Sequence, residues 1–183
     1  AVIKQMLDAG TAYYCYTTPE ELEGMREMQR AKGLKPRYDG TWRPEPGQVL
    51  PQPPSGVQPV VRFKNPIEGV VAWDDLVKGK IEIANTELDD LVIARTDFTP
   101  TYNFCVVVDD WEMGITHVMR GNEYLASTPK YNLLYEAFGW EVPTYVHCSP
   151  VMRDSQHKMS KRHGDPSYED LKAQGFLTSA ILN

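Results

Sequence analysis

Apolar and polar positions change their period along the chain, and each change marks a different kind of element. Val2, Ile3, Met6 and Leu7 recur at helical spacing, with Gly10 as the stop after them. Thr18-Pro19-Glu20-Glu21 is a helix start: Thr18 is the cap, Pro19 suits the first helical position and Glu21 completes a capping box. This helix is predicted to run to about Lys32 and stop at Gly33. Its apolar stripe is thin, chiefly Leu22, Met25 and Met28, which predicts a solvated helix on an appendage. Residues 36–59 hold seven of the 14 prolines and three glycines, a density that neither helix nor sheet tolerates. An extended loop is expected there, mobile at Pro51-Gln52-Pro53-Pro54-Ser55-Gly56.

The period then becomes two. Residues 60–64, 69–73, 80–84 and 91–95 read as strands, with turns at Asn65-Pro66 and Lys78-Gly79, and together they predict one small antiparallel unit. After Pro100 the run Phe104-Cys105-Val106-Val107-Val108 is continuously apolar, which fits a strand buried on both faces. Residues 115–121 read as a second strand. A helix opens at Thr128-Pro129, shows Tyr131, Leu134, Tyr135 and Phe138 on one face and ends at Gly139. Residues 145–148 are the next strand, 151–166 a polar loop, and Ser167 caps a short helix that stops at Gly175. Strand, helix, strand and loop in this order make half of an α/β nucleotide-binding fold, with the 60–95 segment inserted into it.

Both ends read as cut. Nothing before Val2 supplies a cap, and a helix opened by Thr178 meets the last residue, Asn183. The remaining 183 residues are long enough for a core. With 42% hydrophobic and 24% charged residues the chain is neither disordered nor a membrane protein; no apolar run reaches the roughly 18 residues of a membrane helix. The net charge of −6 excludes a generally basic nucleic-acid binder, so any such contact needs a local patch. Cys15, Cys105 and Cys148 form neither a CxxC pair nor a disulfide framework, which points to a reducing cytoplasm.

One loop has the composition of a phosphate site. Gln156-His157-Lys158-Met159-Ser160-Lys161-Arg162-His163-Gly164 carries three fixed cations and no acid. Two lysines three apart with a hydroxyl between them can wrap a polyphosphate and face charge that grows during transfer. By composition alone the loop reads first as a solvated basic segment. Arg120 ends a strand; strand carboxyl ends face the ligand crevice in open α/β sheets, and an arginine there can grip a carboxylate with two bonds. A surface ion pair is the alternative. Glu123 and Tyr124 follow it. Tyr102 offers a hydroxyl beside an expected sheet edge, with half-buried packing as its alternative. His117 and His147 read as satisfied edge or core residues rather than ligands.

These residues carry a resemblance. Lys158-Met159-Ser160-Lys161-Arg162 is similar to the KMSKS signature of class I aminoacyl-tRNA synthetases. Five further stretches resemble the bacterial glutamyl-tRNA synthetases: Pro36-Arg37-Tyr38-Asp39-Gly40, Leu88-Asp89-Asp90-Leu91-Val92-Ile93-Ala94-Arg95, Pro100-Thr101-Tyr102-Asn103-Phe104, Val107-Val108-Asp109-Asp110-Trp111 and Ile115-Thr116-His117-Val118. The resemblance covers essentially the whole chain. It implies the end of a first catalytic half at 1–16, an α+β connective, acceptor-binding insertion at 17–97, and the second half of a Rossmann-like catalytic domain at 98–183, with the KMSKS-like loop at 158–162. The family's HIGH segment and anticodon-binding half are absent from these 183 residues, so the resemblance implies an internal fragment, inactive alone.

The resemblance also implies roles. Tyr102, Val106 and Arg120 match positions that hold substrate glutamate. Glu123 and Tyr124 match positions near ATP. Lys158, Met159, Ser160, Lys161 and Arg162 match the ATP-binding signature, with Lys158 and Lys161 catalytic. Asn122 departs from the acidic residue usual after Arg-Gly. Some relatives hold structural zinc with a Cys-x-Cys and a Cys-x-His pair; here these read Cys15-Tyr16-Thr17 and Trp42-Arg43-Pro44. One ligand of four remains, so no zinc is expected. The implied activity is ATP-dependent ligation of L-glutamate to tRNA through glutamyl-adenylate, by a cytoplasmic monomer with Mg²⁺ accompanying the nucleotide. The alternatives are a paralogue that glutamylates a modified tRNA base and a non-catalytic module for a tRNA acceptor end.

Overall fold

The computed structural model describes residues 1–182, apart from the side chain of Lys161. Two sheets share one core. In the first, strands β1 (Ala12–Cys15), β2 (Val60–Phe63) and β5 (Val92–Ala94) pair antiparallel in the order β1-β2-β5. In the second, β3 (Val70–Asp75), β4 (Gly79–Ala84), β6 (His117–Gly121) and β7 (Thr144–Cys148) are ordered β4-β3-β7-β6. The hairpin β3–β4 is antiparallel, whereas β3–β7 and β7–β6 are parallel. The helices are α1 (Val2–Asp8), α2 (Pro19–Ala31), α3 (Tyr102–Glu112), α4 (Thr128–Phe138), α5 (Tyr168–Ala173) and α6 (Thr178–Leu182). The crossover from β6 to β7 runs through α4, as a parallel pair requires. Val61 and Ile93 of the first sheet, Val71 and Tyr145 of the second, Val107 of α3 and Leu134 of α4 are buried in the same cluster.

Local signals predicted several elements well. The Thr18 hydroxyl accepts the Glu21 N–H at 3.2 Å, and the Glu21 carboxylate accepts the Thr18 N–H at 2.9 Å. Ser167 and Asp170 form the same reciprocal pair at α5. No residue of α2 is buried, as its thin stripe predicted. The proline-dense segment between α2 and β2 contains neither helix nor strand. Gly139 takes the left-handed conformation that ends α4, with φ 68°.

Two expectations are corrected. The apolar run 104–108 is not a buried strand; it lies inside α3. Phe104, Val107, Val108 and Trp111 recur at helical spacing, and Phe104 and Val107 form the buried face. Packing against α4, where the Phe104 and Phe138 rings lie 6.3 Å apart, selects that periodicity. Tyr102 therefore opens a helix rather than flanking a sheet edge. The strands of residues 60–95 also do not form one unit. β2 and β5 join β1, a strand the period of two did not reveal, while β3 and β4 extend the parallel run of β7 and β6.

Candidate functional site

The parallel strands β7 and β6 end side by side, and the neighbouring β3 ends beside Tyr145 of β7, two residues short of His147. Asp75 is the last residue of β3, His147 the penultimate residue of β7, and Arg120 the penultimate residue of β6, in register with His147. Such an edge is where open α/β sheets bind ligands. Arg120 is held there on several sides. Its Nε–H donates to His147 Nε2 at 3.1 Å, and its Nη2 donates to Thr128 Oγ1 at 2.8 Å. The Thr128 hydroxyl donates in turn to the Tyr124 carbonyl at 3.1 Å. The guanidinium carbon also lies 5.0, 5.2 and 5.4 Å from the ring centres of Tyr131, Tyr145 and Tyr124. Cation–π contacts of this kind are worth about 0.5–1 kcal/mol each at exposed sites and more when desolvated.

Below Arg120 the polar groups are fully buried. The side chains of His147 and Asp75 have no exposure, and His147 Nδ1 lies 2.5 Å from Asp75 Oδ2. Asp75 Oδ1 accepts the backbone N–H groups of Val77 and Lys78, each at 3.0 Å, and the carboxylate also accepts the N–H of His147. Burial opposes the charged form of Asp75, but the imidazole and these amides outweigh it and hold its carboxyl at about 2. Burial pushes the hydroxyl of Tyr135 up to about 12 and those of Tyr131 and Tyr145 upward, so all three remain neutral donors; Arg120 opposes each shift. Burial also raises Asp110 on α3, again against Arg120.

Of the expected glutamate-site residues, Arg120 is on β6, while Tyr102 and Val106 are on α3, which packs against α4. The Tyr131 hydroxyl donates to Asn103 Oδ1 at 2.9 Å and ties α4 to the start of α3. Val106 is half-buried one helical turn beyond Tyr102, on the same face of α3. Tyr102 is 66% exposed, open to a ligand rather than packed away. Asn122, Glu123 and Tyr124 lie in the 3₁₀ turn that follows β6, and the Glu123 carboxylate rests against Gly121 in the volume a Cβ would fill.

The basic loop is a separate feature. Lys158, Ser160 and Arg162 line a cavity of about 610 Å³ together with Arg153, Gln156, His157 and His163. Its backbone is braced from outside: Asp165 accepts the Ser160 N–H at 2.8 Å, and Met159 N–H donates to the Val151 carbonyl at 2.9 Å. Among the described residues no carboxylate lies within ion-pair distance of Lys158 or Arg162. The side chain of Lys161 lies outside the described residues.

At the positions where the resemblance implies zinc ligands in some relatives, the chain packs apolar groups. Cys15 and Trp42 are buried in one cluster with Tyr13 and Tyr38, and Tyr16 lies against Trp42 with ring centres 4.8 Å apart. That aromatic plug gives a metal no ligand set. Among the described residues no group of three or more His, Cys, Asp or Glu is placed to hold an ion.

Sequence reasoning missed Asp75 and Thr128 as parts of this site. His147 was legible as a satisfied core histidine, because Tyr145 and His147 share the inward face of β7. Nothing near Asp75 in the chain announces its partner, 72 positions away.

Residues 1–183 match the family described as tRNA synthetases class I (E and Q), catalytic domain. Glutamate–tRNA ligase of Aromatoleum aromaticum is 63% identical over 183 residues, and that of Dechloromonas aromatica 62% over 182. The chain spans 39% of the length of each. A crystal structure of a glutamate tRNA ligase from Elizabethkingia meningosepticum, in complex with its amino acid, superposes with a TM-score of 0.76 at 33% identity, over 96% of this chain and 35% of that one.

Proposed function

Because this chain belongs to the class I tRNA synthetases (E and Q), we propose that it forms the glutamate-binding part of an enzyme that ligates L-glutamate to tRNA at the expense of ATP. Arg120 carries the reading. It lies one residue before the end of β6, beside three tyrosine rings, already bonded to His147 and Thr128 and with N–H groups to spare. A guanidinium so held recognises a carboxylate with two parallel bonds. It takes the side-chain carboxylate of glutamate and leaves the α-carboxylate free to react, with Tyr102 and Val106 lining the same pocket from α3.

The α-carboxylate oxygen then attacks the α-phosphorus of ATP. The bond to the bridging oxygen breaks, pyrophosphate leaves and glutamyl-adenylate forms. A hydroxyl of the terminal tRNA ribose attacks the glutamyl carbonyl and AMP leaves. Catalysis of this kind is mainly placement and charge stabilisation. Lys158 and Lys161 face the phosphate charge, Met159, Ser160 and Arg162 shape the same loop, and Glu123 and Tyr124 border the nucleotide. Mg²⁺ would travel with the ATP phosphates, since the described residues offer it no cluster of their own.

In this reading residues 1–16 close the first catalytic half, 17–97 meet the tRNA(Glu) acceptor end and 98–183 complete the nucleotide fold. No helix among the described residues is long and apolar enough to cross a membrane; the proposed setting is the cytoplasm, with the enzyme acting as a monomer. The test is ATP–pyrophosphate exchange by the full-length protein. Exchange should depend on glutamate and fail with glutamine or aspartate; equal exchange with glutamine would overturn the assignment.

A further inference from the structure

Asp75 and His147 touch no proposed substrate, yet both are buried directly beneath Arg120. Each contact along this line has a direction. Asp75 is ionised and only accepts. His147 Nδ1, 2.5 Å from Asp75 Oδ2, therefore carries a proton. On the far side of the ring Nε2 faces Arg120 Nε at 3.1 Å, and a guanidinium only donates. Nε2 must accept, so the ring is neutral with its proton on Nδ1. The other tautomer, or the doubly protonated ring, would set N–H against N–H.

The geometry points to Asp75 and His147 as positioning residues for Arg120: the carboxylate selects the imidazole tautomer, and that tautomer selects which edge of the guanidinium is left for the substrate. His147 Nε2 and Thr128 Oγ1 lie 3.1 Å apart, so the two bonds from Arg120 use one edge of the fork, Nε and Nη2. Nη1 has no hydrogen-bond or ion-pair partner among the described residues, and with the second N–H of Nη2 it forms the end that takes a carboxylate. The second nitrogen of a ligating or catalytic imidazole is commonly fixed by a buried carboxylate in the same way. Here the histidine aims an arginine. The inference rests on Arg120 as the glutamate clamp proposed above.

The test uses the full-length protein and the variant Asp75→Asn. Two backbone N–H groups hold Oδ1 at that position, so the new amide would turn its NH₂ toward His147 Nδ1. The ring proton would move to Nε2 and oppose Arg120. The apparent KM for glutamate should rise roughly tenfold or more, the size of a misplaced charge-assisted bond, while that for ATP stays within about twofold. The ¹⁵N resonances of the His147 ring should show the proton on Nδ1 in the wild type and on Nε2 in the variant. In His147→Gln the amide oxygen accepts from Arg120 without any tautomer, so adding Asp75→Asn to it should change the glutamate KM less than about twofold, a non-additive pair. Equal rises in both KM values, or additivity with His147→Gln, would reduce Asp75 to a structural residue and overturn the inference. Should Asp75→Asn not fold, the wild-type spectrum decides: a proton on Nε2 overturns it and one on Nδ1 supports it. If Arg120→Ala left the glutamate KM unchanged, the proposed function would fall instead; a selective Arg120→Ala with a silent Asp75→Asn would remove the positioning role alone.

Discussion

Replacing Arg120 separates its charge from its shape. Arg120→Ala removes the proposed clamp on the glutamate side chain. A lost charge-assisted hydrogen bond costs about 1.5–3 kcal/mol, which raises the apparent KM for glutamate roughly ten- to a hundredfold. The fold should tolerate the change. Thr128 Oγ1 lies 3.1 Å from His147 Nε2, so its hydroxyl can turn from the Tyr124 carbonyl and satisfy the imidazole once Arg120 is gone. The stability loss is then limited to one or two net hydrogen bonds at about 1 kcal/mol each, plus the contacts with three tyrosine rings. Arg120→Lys keeps the charge but not the fork. An ammonium cannot reach His147, Thr128 and a carboxylate in one plane, so lysine should recover less than half of the lost binding free energy. The assay is steady-state pyrophosphate exchange by the full-length protein, with glutamate and ATP varied in turn, beside a thermal melt. A lysine variant indistinguishable from wild type, or parallel losses for glutamate and ATP, would refute the reasoning.

Four other outcomes are expected. Lys161→Ala should slow single-turnover adenylate formation on the order of 10²–10³ at saturating ATP, with Lys158→Ala less severe, as for removal of a preorganised donor; a rate within about threefold of wild type would return the loop to a solvated basic segment. Folding depresses Asp75 from 3.8 to about 2, so its contribution is complete above the unfolded value and drains away as pH falls from about 4 toward 2. Urea unfolding should show about 2 kcal/mol lost across that window and no comparable loss in Asp75→Asn. Leu134, fully buried beneath the second sheet, should cost about 2–5 kcal/mol when cut to alanine, read as a drop in the urea midpoint at constant slope. A strong chelator should leave the melting temperature unchanged, because Cys15 and Trp42 pack in an aromatic cluster with Tyr13 and Tyr38 rather than in a set of metal ligands; a chelator-dependent shift would contradict this.

What the sequence by itself determined was local. The capping box at Thr18, the cap at Ser167, the helix stop at Gly139, the proline segment without helix or strand and the solvated α2 depend on groups within a few positions of one another, so their physics is written in short strings. The candidate residues were likewise legible as chemistry, since an arginine at a strand end and a lysine pair around a hydroxyl state their own charge. Tertiary structure decided the rest. Residues 104–108 are apolar enough for either a buried strand or a helix face, and only the surface of α4 chose the helix. Four alternating segments looked like one sheet, but alternation names the buried face of a strand and not its neighbour. β3 reached β7 through a single register pair, Asp75 with Tyr145. That meeting placed a carboxylate 72 positions from its histidine, and the histidine 27 positions from the arginine it touches. Such a relay exists only after the chain has closed on itself, because burying Asp75 and His147 costs free energy unless each finds its partner, and those partners come from distant strands.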